Sequence, residues 1–200
     1  PAKNFLTVAN PASHSLALID PVSGVRQRTL YGVPDPHYLR MSADMRWLVT
    51  SSNRLDRIDI YRWNGANLAE PLALAGSVKV QSTPSHLTID SKSSTVYASL
   101  QGSDELVAID LASQKVRWRV PVGRLPADVH LTRDDRLLLV GLTGDDHVEV
   151  YDVSQAPPVR VRRIKTGAGA HAFRSRGDGR QVFVSNRVAN TISILDLTTL

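Results

Sequence analysis

Two hundred residues, 42% apolar and 22% charged, give enough chain for a buried core and read as a globular protein rather than a disordered or fibrous one. With no cysteine, disulfides, zinc ribbons, thiolate clusters and cysteine nucleophiles are all excluded, and no apolar run approaches the ~18 residues that span a bilayer. The net charge of +5 permits anionic partners without requiring them.

In chain order, Lys3 runs directly into strand-like sequence, so the N-terminus does not read as a signal peptide. The first pair of apolar runs is FLTVAN and SLALID, followed by turn chemistry at Pro21, Ser23 and Gly24. Pro36-His37 then precedes WLVTSS and RIDIYR, with Asn64-Gly65 predicted to close a hairpin. His86 precedes TVYASL and LVAIDL, and Asp128 precedes LLLVGL and HVEVYD. After these comes a basic run, Arg160, Arg162, Arg163 and Lys165. No aromatic residue interleaves it, so it reads as a solvated outer strand, and nucleic acid is not an expected partner. The last unit carries His171, an Asp178-Gly179 turn, VFVSN and ISILDL.

These units repeat. With Asp20, Arg62, Asp110, Asp152 and Asp196 taken as equivalent, the steps are 42, 48, 42 and 44 residues. Ten residues earlier lies a second column, Asn10, Ser52, Leu100, Leu142 and Asn186, and His37, His86, Asp128 and His171 form a third. The apolar runs are nearly continuous, as expected for strands buried on both faces. No segment has helical periodicity. A period near forty with four strands per unit is the signature of a β-propeller. The fold class is therefore all-β, a propeller of four-stranded antiparallel blades.

The segments QVFVSNRVANTISILDL and FLTVANPASHSLALID resemble the YVTN family of β-propeller repeats. Pro36-His37, Gly177-Asp178-Gly179, Asn10 and Asn186 match the family's unit, whereas Leu100 and Leu142 stand where its asparagine belongs. With strands labelled A to D from the axis outward, one domain over 1–200 divides into blades at roughly 1–33, 34–83, 84–124, 125–167 and 168–200. The first lacks strand A and the last lacks strand D, giving eighteen strands in four to five blades' worth of chain. The expectation is the first part of a seven-bladed propeller, whose open blade edges would favour self-association of the chain alone.

In such a fold the loops leading into strand A and the B–C turns share one face at the channel mouth. That face holds the ligand-binding candidates His37, His86, Asp128, His171, Asn53, Arg54, Asn186 and Arg187, together with Gln101, Asp104, Asp145, Asp146 and His147. Positions around the channel should fan apart, so that only adjacent pairs such as His37 and His86 could share a ligand while His171 stands two blades further on, and no metal site is predicted among the histidines. Gly167-Ala168-Gly169 fits a loose dinucleotide pattern but should precede a strand, and Arg176-Gly177-Asp178 should be a turn. The surplus between Arg62 and His86 falls in 68–83, beginning at Leu68, and predicts a longer outer strand or a longer loop entering strand A.

The leading functional expectation is a scaffold binding a protein or small-molecule ligand through the mouth face. The resemblance extends to lactonase-type propellers, implying hydrolysis by His86 or His171 with Arg54 or Arg187. It extends also to nitrite-reductase haem domains, implying an axial histidine among His37, His86 and His171. No cofactor is otherwise predicted. A periplasmic or secreted location is implied by the resemblance alone.

Overall fold

The computed structural model describes residues 5–67 and 69–200. Lys3 and Leu68 lie outside the described residues. The chain forms a β-propeller of five antiparallel blades, with eighteen strands and two 3₁₀ turns among the described residues. The first blade is β1 (Leu6–Asn10), β2 (Ser15–Ile19) and β3 (Arg26–Tyr31). The second is β4 (Pro36–Met41), β5 (Trp47–Ser52), β6 (Arg57–Trp63) and β7 (Leu72–Lys79). The third is β8 (Pro84–Ile89), β9 (Thr95–Leu100), β10 (Glu105–Asp110) and β11 (Lys115–Pro121). The fourth is β12 (Pro126–Leu131), β13 (Leu137–Leu142), β14 (His147–Asp152) and β15 (Val159–Lys165). The last is β16 (Ala170–Ser175), β17 (Gln181–Asn186) and β18 (Thr191–Asp196). Each blade is a meander of consecutive neighbours, as short connections favour.

The continuous apolar runs are explained by what each face meets. In β10, Val107 and Ile109 pack toward the second blade with Val49 and Ile58, while Leu106 and Ala108 pack toward the fourth with Val129 and Leu138. Both faces of a middle blade are thus core, and alternation of apolar with polar residues would leave one core unfilled. Blade seams are also tied at the A–B turns: the Asp44 N–H donates to Ser93 Oγ at 3.0 Å, and the Ser91 hydroxyl donates to Asp135 at 2.5 Å.

Each inner strand carries a bulge just after its first residue. Pro36 faces Ser52 while Tyr38 faces Ser51, and Ala170 faces Asn186 while Ala172 faces Ser185. Pro84 and Pro126 begin β8 and β12 with the same one-residue surplus. The register makes Leu39, Leu87, Val129 and Phe173 equivalent, opposite Thr50, Ala98, Val140 and Val184. The expected third column therefore splits. His37 and His171 occupy the first position after the starting residue, whereas His86 and Asp128 occupy the second. A bulge sets two successive residues where a regular strand has one, so residue type alone does not tell them apart.

The surplus before His86 falls mainly in the connection between β6 and β7, with β7 one residue longer than β11 and β15; the loop entering β8, the other place expected for the extra length, is as short as its equivalents before β12 and β16. Asn64-Gly65 opens the β6–β7 connection and does not form a tight two-residue hairpin; Asn64 Oδ1 instead accepts the Ala66 N–H at 3.2 Å. Gln81, Ser82 and Thr83 follow β7 with φ of 63°, 61° and 57°, three successive left-handed residues. Gly179, at φ 73°, closes the predicted A–B turn of the last blade.

Candidate functional site

The mouth face is built from a repeated clamp. A left-handed residue in the B–C turn reaches across to the loop that leads into the next inner strand. Asp56 Oδ1 accepts the Thr83 N–H at 2.7 Å, Asp104 Oδ1 accepts the Leu125 N–H at 2.7 Å, and His14 Nδ1 accepts the Asp35 N–H at 2.9 Å. The carbonyls of the same three residues accept from Val80, Val122 and Val33. Asp104, a mouth candidate by sequence, is therefore committed to backbone. Arg54 is committed too: its Nε and backbone N–H both donate to buried Asp35, at 2.8 and 2.7 Å. Those bonds, outweighing burial, hold Asp35 below the usual carboxylate range.

Asn186 is buried and braces its own blade. Its hydrogen-bond network orients the amide so that oxygen accepts from Thr191 and Ser193 while nitrogen donates to the Gly167 carbonyl at 3.2 Å. Asn53 sits half-buried in a 3₁₀ turn, and Arg187 is exposed beside His171. Gln101 is fixed through its backbone to the Thr83 carbonyl. Asp145, Asp146 and His147 cluster tightly, His147 Nδ1 lying 3.2 Å from Asp145 and 2.5 Å from Asp146. Arg163 and Lys165 of β15 already pair with those carboxylates. The remaining basic residues are likewise engaged on an exposed outer strand, Arg160 with Glu149 at 2.7 Å and Arg162 with the Thr199 carbonyl. Gly167–Gly169 leads into a strand, as expected, and offers no helix N-terminus.

The histidines are brought together. The His86 ring centroid lies 5.9 Å from that of His37 and 5.6 Å from that of His171, both edge-on. The closeness of His37 and His86, on successive blades, is as expected; the expected divergence fails for His86 and His171, which stand two blades apart. Tyr38 closes on His86 at 4.5 Å. Burial, then the neighbouring His171 and His37, push the His86 imidazole down to about 3; burial and Arg187 lower His171. Both rings are therefore neutral near pH 7. Hydroxyls fix them: Ser85 Oγ lies 3.0 Å from His86 Nδ1, and Thr143 Oγ1 lies 3.1 Å from His171 Nδ1. His37 remains exposed.

Asp128 shares the register position of His86 but is buried. It is 2% exposed, accepts the Phe173 and Val129 N–H groups, and stands 3.7 Å from Arg174. Burial raises its carboxyl above the usual value despite those bonds. Sequence reasoning missed Tyr38, Arg40, His130 and Arg174, which line the channel deeper in. Their signal was the period of two along each inner strand, counted from its starting residue.

A family model described as YNCE-like beta-propeller matches residues 1–200. No curated protein matches the chain in sequence. Among solved structures, a putative 6-phosphogluconolactonase from Bacteroides fragilis is 19% identical with a TM-score of 0.80, the match covering 96% of this chain and 63% of that one. The periplasmic gluconolactonase of Pseudomonas aeruginosa is 21% identical, TM-score 0.76, with coverages of 96% and 62%. Kuenenia stuttgartiensis hydrazine synthase is 18% identical, TM-score 0.73, with coverages of 82% and 46%. The chain thus spans less than two thirds of these structures, and at such identities the likeness is one of fold.

Proposed function

This chain belongs to the YNCE-like β-propeller family, and on that premise we propose that it is a binding scaffold holding a small hydroxylated ligand at its channel mouth. The observation that carries the reading is that the His86 ring meets those of both His37 and His171 at centroid spacings below 6 Å. A neutral imidazole offers one donor and one acceptor, the pairing a sugar-like hydroxyl needs. Ser85 and Thr143 preset two of the rings, which lowers the ordering cost of binding.

A second reading, lactone hydrolysis, is favoured by the two lactonase-type neighbours and by Arg187 standing beside His171. His171 would serve as base and Arg187 would steady the developing oxyanion. Haem ligation finds less support, since His86 is enclosed by three aromatic rings and the open imidazole is His37. A protein partner would use the same face. A periplasmic or secreted location agrees with the periplasmic neighbour.

Titration calorimetry with gluconate and glucono-lactone tests the reading. Saturable binding of either compound that weakens on His37→Ala and His86→Gln supports a mouth site. Lactone turnover that disappears in His171→Ala moves the assignment to the hydrolase. Binding that survives His37→Ala and His86→Gln overturns the mouth site, and turnover that is absent or unchanged in His171→Ala overturns the hydrolase.

A further inference from the structure

We propose that the opposite end of the channel, on the side of the A–B turns, is a separate site for a small molecule carrying a phosphate or carboxylate group, gripped by Arg40 and Arg174. These residues occupy equivalent positions on β4 and β16, two residues past Tyr38 and Ala172. Their side of the channel opens into a cavity of about 550 Å³, large enough for a small metabolite. Tyr38, His130, Phe173 and Ser175 also line it.

The two guanidiniums are available. Among the described residues no carboxylate pairs with Arg40, whose guanidinium carbon lies 5.7 Å from the Tyr38 ring centroid. Arg174 donates one N–H to the Phe173 carbonyl at 2.6 Å and leaves its side chain 73% exposed. Its nearest carboxylate, Asp128 at 3.7 Å, is too far for a hydrogen bond and has given its oxygens to backbone N–H groups. Asp90, also at the wall, is spent on Ser94 and Thr95. Arg40, which no carboxylate pairs among the described residues, and Arg174, whose ion pair to buried Asp128 is a long one at 3.7 Å, are two forked donors at one end of a half-enclosed cavity, the arrangement that recognises oxyanions. His130 adds a ring nitrogen; burial and the Arg40 charge hold it below its ordinary pKa, so it enters as a neutral hydrogen-bonding group.

A ligand long enough to span the channel would place its hydroxyls among the mouth histidines and its charge between the arginines. The oxyanion site stands on its own geometry, however, and does not depend on the mouth reading.

The test is calorimetric titration of the chain with inorganic phosphate and, separately, with succinate, at low ionic strength. The expected result is one bound anion per chain. Arg40→Gln and Arg174→Gln should each weaken it at least about tenfold, as loss of one charged hydrogen-bonding group does. Arg40→Lys, which keeps the charge but not the fork, should retain part of the affinity. Arg162→Gln, on the exposed outer strand, should leave it unchanged. Phosphate binding without succinate binding assigns a phosphate ester, and the reverse assigns a carboxylate. No saturable binding of either anion, or equal weakening by Arg162→Gln, overturns the proposal. Arg40 and Arg174 are exposed and make few bonds, so their variants should fold; circular dichroism on each confirms that a loss reads binding.

Discussion

His14 Nδ1 accepts the backbone N–H of Asp35 at 2.9 Å, performing with an imidazole the task that Asp56 and Asp104 perform with carboxylates in the next two blades. One structural role is thus filled by two residue types, which share an acceptor atom at similar reach from a left-handed backbone. The clamp fixes the loops that lead into β4, β8 and β12 and so sets where the mouth residues stand.

That relationship predicts a graded response to substitution. His14→Ala and Asp104→Ala should each lower unfolding free energy by about 1 kcal/mol, the scale of one lost hydrogen bond. His14→Asp, which restores the acceptor used elsewhere, should recover most of the loss. Urea denaturation of the three variants checks this. Equal destabilisation by His14→Ala and His14→Asp would mean that the ring's packing matters and its Nδ1 does not.

Acid should weaken the protein before its carboxylates titrate. The His86 pKa falls from an ordinary 6.5 to about 3 on folding, with burial the largest cause and His171 the next. The unfolded chain therefore binds more protons between those values. Stability is complete above pH about 6.5 and is lost progressively as pH falls toward 3. His171 and His130 shift in the same direction. Carboxylates such as Asp110, held at about 2 by the Ser113 N–H and Arg117, add their loss only below the usual carboxylate value. Thermal unfolding at pH 7, 5.5 and 4.5 should show a falling Tm that flattens in His86→Gln. A Tm constant across that range would contradict the neutral, buried imidazole.

The chain prepared alone should self-associate. On β18, Ile192 is 69% exposed and Ile194 58%, and the strand edge away from β17 has no partner among the described residues. At the other end β1 leaves Leu6 55% exposed. Apolar residues on an unpaired edge are a template for a second chain. Light scattering across a concentration series should give a mass rising above the monomer, and Ile192→Lys with Ile194→Glu should restore the monomer. A monomer at every concentration would show that these faces are satisfied without a partner.

Much of the architecture was legible in the residues. The two recurring apolar columns, ending at Asn10 through Asn186 and at Asp20 through Asp196, mark β1 and β2 and their equivalents in every blade. Asp178-Gly179 marks its turn, and the unbroken run Leu137 to Val140 marks burial on both faces. These signals are local: a strand's side chains alternate every two residues, and a turn residue is chosen by its own backbone angle.

The site was decided elsewhere. Spacing suggested that His37, His86 and His171 were equivalent and that His171 would stand apart from His86, whereas the inner-strand bulges set His86 at a different position from the other two and its ring meets both. Spacing likewise offered Arg54 and Asp104 to a ligand, when their partners, Asp35 and the Leu125 N–H, lie across a loop. Arg40 and Arg174 are 134 residues apart in sequence and become neighbours of one cavity only when four inner strands line up around it. Sequence by itself determined the repeat, the strands and the blades, because each follows from interactions a few residues long. Tertiary structure decided which side chains are spent on the scaffold and which face the channel, because that depends on register shifts and curvature summed over several blades.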